Sequence, residues 1–270
     1  MKQGSLYEAL FQIGTLIFVI IIVRATYVTV IRPNAELIQE QQQLMQEQNP
    51  DIVPERSVFI IIRDYEQEFC IIFFLWAVTI IGMKTQHTLR QRALLERTLV
   101  KLQDGMSILP EDSRNYARPV QALAPKEKEF LLPRALLAGL HRFQSTQNIH
   151  AVSSIIKDTC ETEADRMETE LSIVRYIAWA IPSIGFLGTV RGIGTALGQA
   201  YQAVAGDIAG VTQSLGVAFN STFVALVVSI FLMFLLHQLQ LQQDRLVLDC
   251  QNYCDERLIR HMQVPEKANS

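Results

Sequence analysis

The stretch that decides the fold is Ala180–Gly198, which reads AIPSIGFLGTVRGIGTALG. It carries a single charge, and with its neighbours it is long enough to cross a bilayer, since about 20 apolar helical residues span the hydrocarbon core. Its glycines form two GxxxG pairs, Gly188/Gly192 and Gly194/Gly198. In lipid, helices associate through close backbone contact at such small residues. The stretch therefore predicts a transmembrane helix that packs tightly against another helix.

Small residues recur at helical spacing on this helix and on the next apolar stretch along the chain. The two small faces comprise Gly185, Thr189, Gly192 and Ala196 on the first helix, and Ala218, Thr222, Ala225 and Ser229 on the second. Taken alone, the residues leave two interpretations open, because a membrane threonine either bonds its own helix backbone or lines a polar path. We assign helix-packing roles to Pro182, Gly185, Gly188, Gly192, Gly194, Gly198, Ala218 and Ala225.

Working outward, the chain contains four candidate transmembrane helices. Residues 176–236 hold the third and fourth, with no Asp, Glu, Lys or Arg between Ile208 and Gln243, and residues 1–31 hold the first. The second, residues 69–84, has only fifteen uncharged residues between Glu68 and Lys84. A core helix of a soluble protein has the same pattern, but snorkelling of Lys84 allows this stretch to span. We predict an all-α membrane protein with four transmembrane helices.

The distribution of basic residues predicts the orientation in the membrane. Residues 84–175 carry fourteen Lys and Arg, whereas residues 32–68 carry three basic and eight acidic residues. We therefore expect residues 32–68 to be periplasmic, and residues 85–175 and 237–270 to be cytoplasmic, the latter as a C-terminal helix. Both termini are then cytoplasmic, and the third and fourth helices extend into the cytoplasm as long continuous helices. The membrane is predicted to be the bacterial inner membrane.

Composition excludes several classes of function. The chain is 49% hydrophobic and 19% charged, where soluble domains carry about a quarter charged residues, and its net charge of −3 offers no basic surface for nucleic acid. The four cysteines form no CxxC pair, and Cys250, Cys254 and His261 make a poor zinc set. No phosphate loop, nucleophile elbow or HExxH motif occurs. We expect no enzyme activity, no metal and no cofactor.

Two motifs carry a resemblance to a known family. Pro182-x-x-Gly185-x-x-Gly188-Thr189-Val190 resembles the signature of the MotA/TolQ/ExbB proton-channel family. The stretch Ala218–Leu226, AFNSTFVAL, is similar to the family's second motif on the next helix. The resemblance covers roughly residues 69–261, and the count of four helices is more like MotA than like the three-helix TolQ and ExbB.

The resemblance implies a homopentameric ring around two copies of a single-span subunit like ExbD, TolR or MotB. That partner carries an aspartate that is protonated and released as ions cross, and the flux drives rotation or force. Thr189 and Thr222 match the threonines that line the family's channel, and Ser221 lies beside them. The chain departs from the family pattern at Arg191, where an uncharged residue is usual, and at Ala225, where glycine is common.

The residues themselves support one part of this plan. At membrane depth, none of the four predicted spans contains Asp or Glu, and threonine does not release its proton at biological pH. A proton relay would therefore need a carboxylate from another protein. Two interpretations of Arg191 stay open, since it either exerts electrostatic control on that carboxylate or on ion entry, or snorkels to headgroups or to Asp207 of a neighbouring subunit.

We predict the pore-ring subunit of an ion-driven inner-membrane motor, and the resemblance to a proton-channel family implies that the ion is the proton. The alternatives are a non-conducting structural scaffold of the same fold and a stand-alone small-solute channel or transporter. The choice between proton and sodium, the process that is powered and the role of the first helix do not follow from the sequence.

Overall fold

The computed structural model describes residues 2–48, 57–100, 106–204, 206 and 208–264. Its α-helices are α1 (Lys2–Thr26), α2 (Arg32–Gln48), α3 (Val58–Ile61), α4 (Tyr65–Leu95), α5 (Ser113–Gln121), α6 (Pro125–Lys128), α7 (Leu131–Thr146), α8 (Ile149–Glu170), α9 (Ser172–Gly198), α10 (Ala200–Val204) and α11 (Ala209–Arg257). A π-helical turn, Tyr27–Ile31, joins α1 to α2. Within these described ranges no strand forms, and the predicted all-α class is confirmed.

Four helical stretches are long and apolar enough to cross a bilayer. They are Leu10–Gln42, Tyr65–Leu95, Ile149–Gly198 and Ala209–His261. The prediction of a four-helix membrane protein is thus confirmed. Each stretch exceeds the roughly 20 residues that a bilayer core requires, which is consistent with helical extensions beyond the membrane. The helix α4, which forms the second of these stretches, begins at Tyr65, four residues before the predicted span. Glu66 and Glu68 therefore lie in its first turn.

The chain divides into two compact units. The first, which we call the membrane unit, comprises residues 1–82 and 173–236, and the second, the helical unit, comprises residues 83–172 and 237–270. The membrane unit exposes large apolar side chains along its helices, including Trp179, Phe186, Phe223, Ile230 and Phe231. An apolar surface of this extent is unfavourable in water but suits contact with lipid or with other membrane helices.

The first helix packs against α4 in the membrane unit. Val19, Val23, Tyr27 and Ile31 follow one another at intervals of four residues and pack with Ile72. An α-helix has 3.6 residues per turn, so a strict four-residue interval drifts around the helix. The wider π-helical turn at the end of this series holds more residues per turn and returns the last two to the same face.

The helical unit has its own core between α7, α8 and the C-terminal part of α11. Leu136, Leu140, Phe143, Ile156 and Leu258 are among its fully or almost fully buried residues. The tight corner between α7 and α8 is set by residue 147, a glutamine with a left-handed φ of 51°. The next residue, 148, is an asparagine whose side chain accepts hydrogen bonds from two backbone N–H groups and so caps α8.

Buried cysteines belong to the same core. Cys160, Cys250 and Cys254 are buried free thiols that pack with the apolar residues of the helical unit. In the described part of the chain, no three His, Cys, Asp or Glu side chains form a group that could hold a metal ion. The three thiols pack as small apolar side chains in this core.

Candidate functional site

Three glycines of α9 have no room for a side chain because α11 lies against them. A Cβ atom on Gly188 would lie 2.5 Å from the Cβ of Ser221, and one on Gly192 would lie 2.7 Å from the Cβ of Ala218. A Cβ on Gly185 would overlap that of Ala225. The two backbones therefore approach as closely as small residues allow, which is the packing typical of membrane helices.

Thr189 and Thr222 meet at the centre of this contact. Their hydroxyls are hydrogen-bonded to each other. The Thr189 hydroxyl also lies 3.2 Å from the carbonyl oxygen of Gly185 and 3.3 Å from that of Ala218. The Thr222 hydroxyl lies 3.2 Å and 3.5 Å from the same two oxygens. Each threonine thus contacts the carbonyl four residues earlier on its own helix and the equivalent carbonyl of the facing helix.

This cluster has more acceptors than protons. Each threonine hydroxyl carries one proton and accepts through its oxygen lone pairs. Five contacts are within hydrogen-bond distance, four to carbonyl oxygens and one between the hydroxyls, but only two hydroxyl protons are available. Only two of the five hydrogen bonds can therefore form at one time, and different pairs of them are possible. Both side chains are only half-buried. A hydrogen-bond donor that reaches Thr189 or Thr222 would find free acceptor capacity in an environment without charge.

Pro182 creates a second polar contact between the same helices. Proline has no backbone N–H, so the carbonyl of Ala178, four residues earlier, loses its partner within α9. The hydroxyl of Ser229 on α11 donates to that carbonyl oxygen over 3.3 Å. A neighbouring helix thus satisfies the group that the proline leaves unbonded, as is required in a membrane.

Ser221 is fully buried beside the threonine pair. Its hydroxyl donates to the Val217 carbonyl oxygen at 2.9 Å and accepts from the Gln67 side-chain nitrogen at 3.3 Å. Gln67 is also fully buried, and its side-chain oxygen has no hydrogen-bond partner among the described residues. The contact fixes the start of α4 to α11 one residue away from Thr222.

Arg191 forms an ion pair that the sequence analysis did not anticipate. Its Nε and NH2 atoms lie 2.6 Å and 2.8 Å from the two carboxylate oxygens of Glu66, a geometry that places two charge-assisted hydrogen bonds side by side. Nearby, burial raises the pKa of Asp64, while the guanidinium groups of Arg63 and Arg191 oppose the shift. Asp207, proposed as an alternative partner for Arg191, lies outside the described residues.

The first turn of α4 contacts four other helices through consecutive residues. Glu66 binds Arg191 on α9, Gln67 binds Ser221 on α11, and Glu68 binds both α1 and α2. The Glu68 carboxylate lies 3.1 Å from a guanidinium nitrogen of Arg24 and 2.5 Å from one of Arg32. This explains why Arg24 is tolerated in an apolar helix. The sequence signal that could have revealed these contacts is the run of three polar residues, Glu66–Glu68, directly before the apolar stretch of α4.

The second glycine pair lies elsewhere on α9. A Cβ atom on Gly194 or Gly198 would meet no atom within 4 Å. Gly188 and Gly192, in contrast, face α11. The structure therefore places only one of the two GxxxG pairs against α11, and Gly194 lies on an open face of the membrane unit.

These features define a helical membrane protein whose closest interhelical contact encloses an uncharged hydroxyl pair. The model of the MotA/TolQ/ExbB proton channel family matches residues 127–252. The matched segment is slightly less than half of the chain and contains Pro182, Thr189, Ser221 and Thr222. The family resemblance that the two motifs predict is thus confirmed on this segment, and the matched family is one of channels and not of enzymes. No curated protein and no solved structure matches the chain.

Proposed function

We propose that the chain is the pore-ring subunit of an ion-driven inner-membrane motor, with the proton as the transported ion. The observation that carries this proposal is the contact between Thr189 and Thr222 across α9 and α11, inside the segment that matches the proton-channel family. The pair offers neutral oxygen atoms that can accept hydrogen bonds without binding an ion permanently. Such weak, polar sites suit conduction, which requires that an ion both enters and leaves.

The proposal requires a partner that supplies the titratable group. In the first turn of α4, the carboxylates of Glu66 and Glu68 are held by guanidinium groups of other helices. Threonine itself does not titrate at biological pH. We therefore propose that a single-span subunit like ExbD, TolR or MotB, in two copies, brings an aspartate to the threonines.

The proposed ring is a homopentamer. The number five is what the family resemblance implies, and a lateral contact is supported by the open face of α9, where Gly194 stands beside exposed apolar residues such as Val190 and Leu197. Lipid or a second copy of the chain would cover these residues. We further propose that both termini are cytoplasmic. The helical unit carries many Lys and Arg residues, and such residues are enriched on the cytoplasmic side of membrane proteins.

A non-conducting scaffold of the same fold is the second candidate function. The observation that favours it is that the hydroxyl and charged groups of the contact find partners within one chain. Both threonine hydroxyls have partners, and Arg191 is compensated by Glu66. In a scaffold, these groups would hold the helices together and nothing more. On this interpretation Arg191 does not control ion entry. In a motor, Arg191 would exert such electrostatic control when its ion pair with Glu66 breaks or forms.

Single-particle imaging of the detergent-purified chain tests the proposal. The chain is expressed alone and together with a candidate single-span protein that has an aspartate in its span. We expect a five-fold ring that holds central density only when the partner is present. A monomer, a dimer or another symmetry would contradict the ring, and a five-fold ring without any such partner density would favour the scaffold.

A further inference from the structure

The helical unit contains a groove between α5 and α7 that the proposed motor does not use. Its volume is about 710 Å³, which is within the range of pockets that hold small molecules. Ten residues line it, five from each helix. All of them belong to the helical unit, so the groove is formed within a single compact part of the chain.

Both charged side chains that line the groove are arginines. Arg114 and Arg118 are one helical turn apart on α5, and His141 faces them from α7. Among the residues that the structure describes, neither guanidinium forms an ion pair, and no acidic side chain lines the groove. The nearest acidic residues in sequence, Glu111 and Asp112, precede α5 and are not lining residues. The groove therefore favours an anion.

Ser113 is the second observation that indicates a ligand. It is the first residue of α5 and lines the groove, yet only 1% of its surface is exposed. Its hydroxyl has no hydrogen-bond partner in the described part of the chain. A buried polar group without a partner destabilises a protein, so such groups are rare unless something else binds them.

Part of the groove's lining, which we call its floor, is apolar. It comprises Ala117 of α5 and Leu137 and Leu140 of α7. A free inorganic anion would leave this floor uncovered. A ligand that has both an anionic group and an apolar body would cover the floor and reach the guanidinium groups at the same time.

We propose that the groove binds a soluble, phosphate-bearing small molecule with a flat apolar part, which is the chemistry of a nucleotide. Two guanidinium groups one turn apart can donate hydrogen bonds to several phosphate oxygens at once. A single carboxylate has only two oxygens and would leave some of these donors unused. Ser113 would donate its free hydroxyl to the same group, and the apolar floor would contact the ring. This site lies in the helical unit and does not depend on the proposed transport function.

Isothermal titration of the purified full-length chain in an uncharged detergent tests this proposal. The probes are ATP, inorganic pyrophosphate, adenosine and an acidic peptide. We expect saturable binding of ATP, weaker binding of pyrophosphate, and no measurable binding of adenosine or the peptide. Absence of saturable ATP binding would overturn the proposal. Binding of the peptide without ATP would also overturn it, because the groove would then be a protein-docking site.

Matched variants locate the binding. The double variant R114Q/R118Q should weaken ATP binding at least tenfold, whereas R142Q, which removes an exposed arginine of α7 outside the lining, should leave it unchanged. Ser113→Ala should weaken binding severalfold without lowering the melting temperature of the free chain, since the lost hydroxyl had no partner. Equal losses in R142Q and the double variant would show non-specific attraction and contradict the proposed site.

Discussion

The membrane unit holds two groups of polar side chains. One group is bound by charged partners, and the other keeps unused hydrogen-bond acceptors. In the first turn of α4, Glu66 and Glu68 are charged, and each is bound by arginine from another helix. At the contact of α9 and α11, Thr189 and Thr222 are neutral and half-buried, and they have more acceptors than protons. The charged group therefore fixes helices to one another, whereas the neutral group can exchange its hydrogen bonds with an arriving donor.

The largest effect should come from closing the space between α9 and α11. Gly192→Val would place its Cβ within 2.8 Å of Ala218 and Ser214 backbone atoms, which cannot rotate away. We expect a loss of about 3 kcal/mol or more of folding stability, the upper range for overpacked cores. Size-exclusion profiles recorded after heating would measure it as a fall in the melting temperature.

Gly194→Val is the matched control on the same helix. A Cβ there meets nothing within 4 Å, so the single chain should keep its stability. If Gly194 faces another copy in the proposed ring, this variant should lower the oligomeric state and not the folding of the chain. Equal destabilisation by both variants would contradict the account of two separate glycine pairs.

A smaller effect should follow from breaking the pair between Glu66 and Arg191. Arg191 is about half exposed, so solvent screens the pair, and we expect a coupling energy of about 1 kcal/mol. The single variants E66Q and R191Q and the double variant E66Q/R191Q form a cycle that isolates this energy. Thermal or denaturant unfolding in detergent measures it. Strictly additive losses would show that the two side chains do not stabilise each other.

The hydroxyl of Ser229 should contribute less. Hydrogen bonds between membrane helices contribute about 0.6 kcal/mol on average, and Ser229→Ala should lose about that amount. Ser183→Ala is the control, because its hydroxyl bonds the carbonyl of its own helix. In a Pro182→Ala background, α9 regains the N–H that bonds Ala178, and Ser229→Ala should then cost almost nothing. An unchanged cost in that background would refute the compensating role of Ser229.

The smallest effect concerns Asp64. Burial raises the pKa of this carboxyl, so its charged form is less favourable in the folded chain than in the unfolded one. Its contribution to stability is therefore greatest when it is protonated and falls as the pH rises through the raised pKa. The melting temperature of the wild type relative to Asp64→Asn should fall as the pH is raised from the ordinary carboxyl pKa of 3.8 toward neutrality. The opposite trend would mean that Arg63 and Arg191 dominate over burial.

The helices and the contact of α9 and α11 could be predicted from the sequence because both depend on local patterns. Apolar length predicts a span, and small residues at intervals of three and four predict a close helix contact. The same periodicity separates the two glycine pairs. Gly194 is six residues after Gly188, which is about 240° around the helix, so the two pairs cannot face the same neighbour.

The charged contacts could not be predicted in the same way. Arg191 and Glu66 are 125 residues apart, and several arginines and carboxylates were equally available as partners. The choice depends on which helix ends come together, which only the packing of the membrane unit determines. The buried Gln67 beside Ser221 was likewise not identified, because its position in the first turn of α4 was assigned to the periplasmic segment.

The most direct test of the central claim is ion flux through the threonine pair. The chain and its candidate single-span partner are reconstituted in liposomes that contain a pH-sensitive dye, with wild-type, Thr189→Val, Thr222→Val and Thr195→Val chains compared. Valine preserves shape, so all should assemble. We predict that T189V and T222V lower proton flux at least about tenfold, equivalent to about 1.4 kcal/mol, whereas T195V, whose hydroxyl bonds its own helix, conducts normally. Normal flux in both T189V and T222V would contradict the account and leave a scaffold.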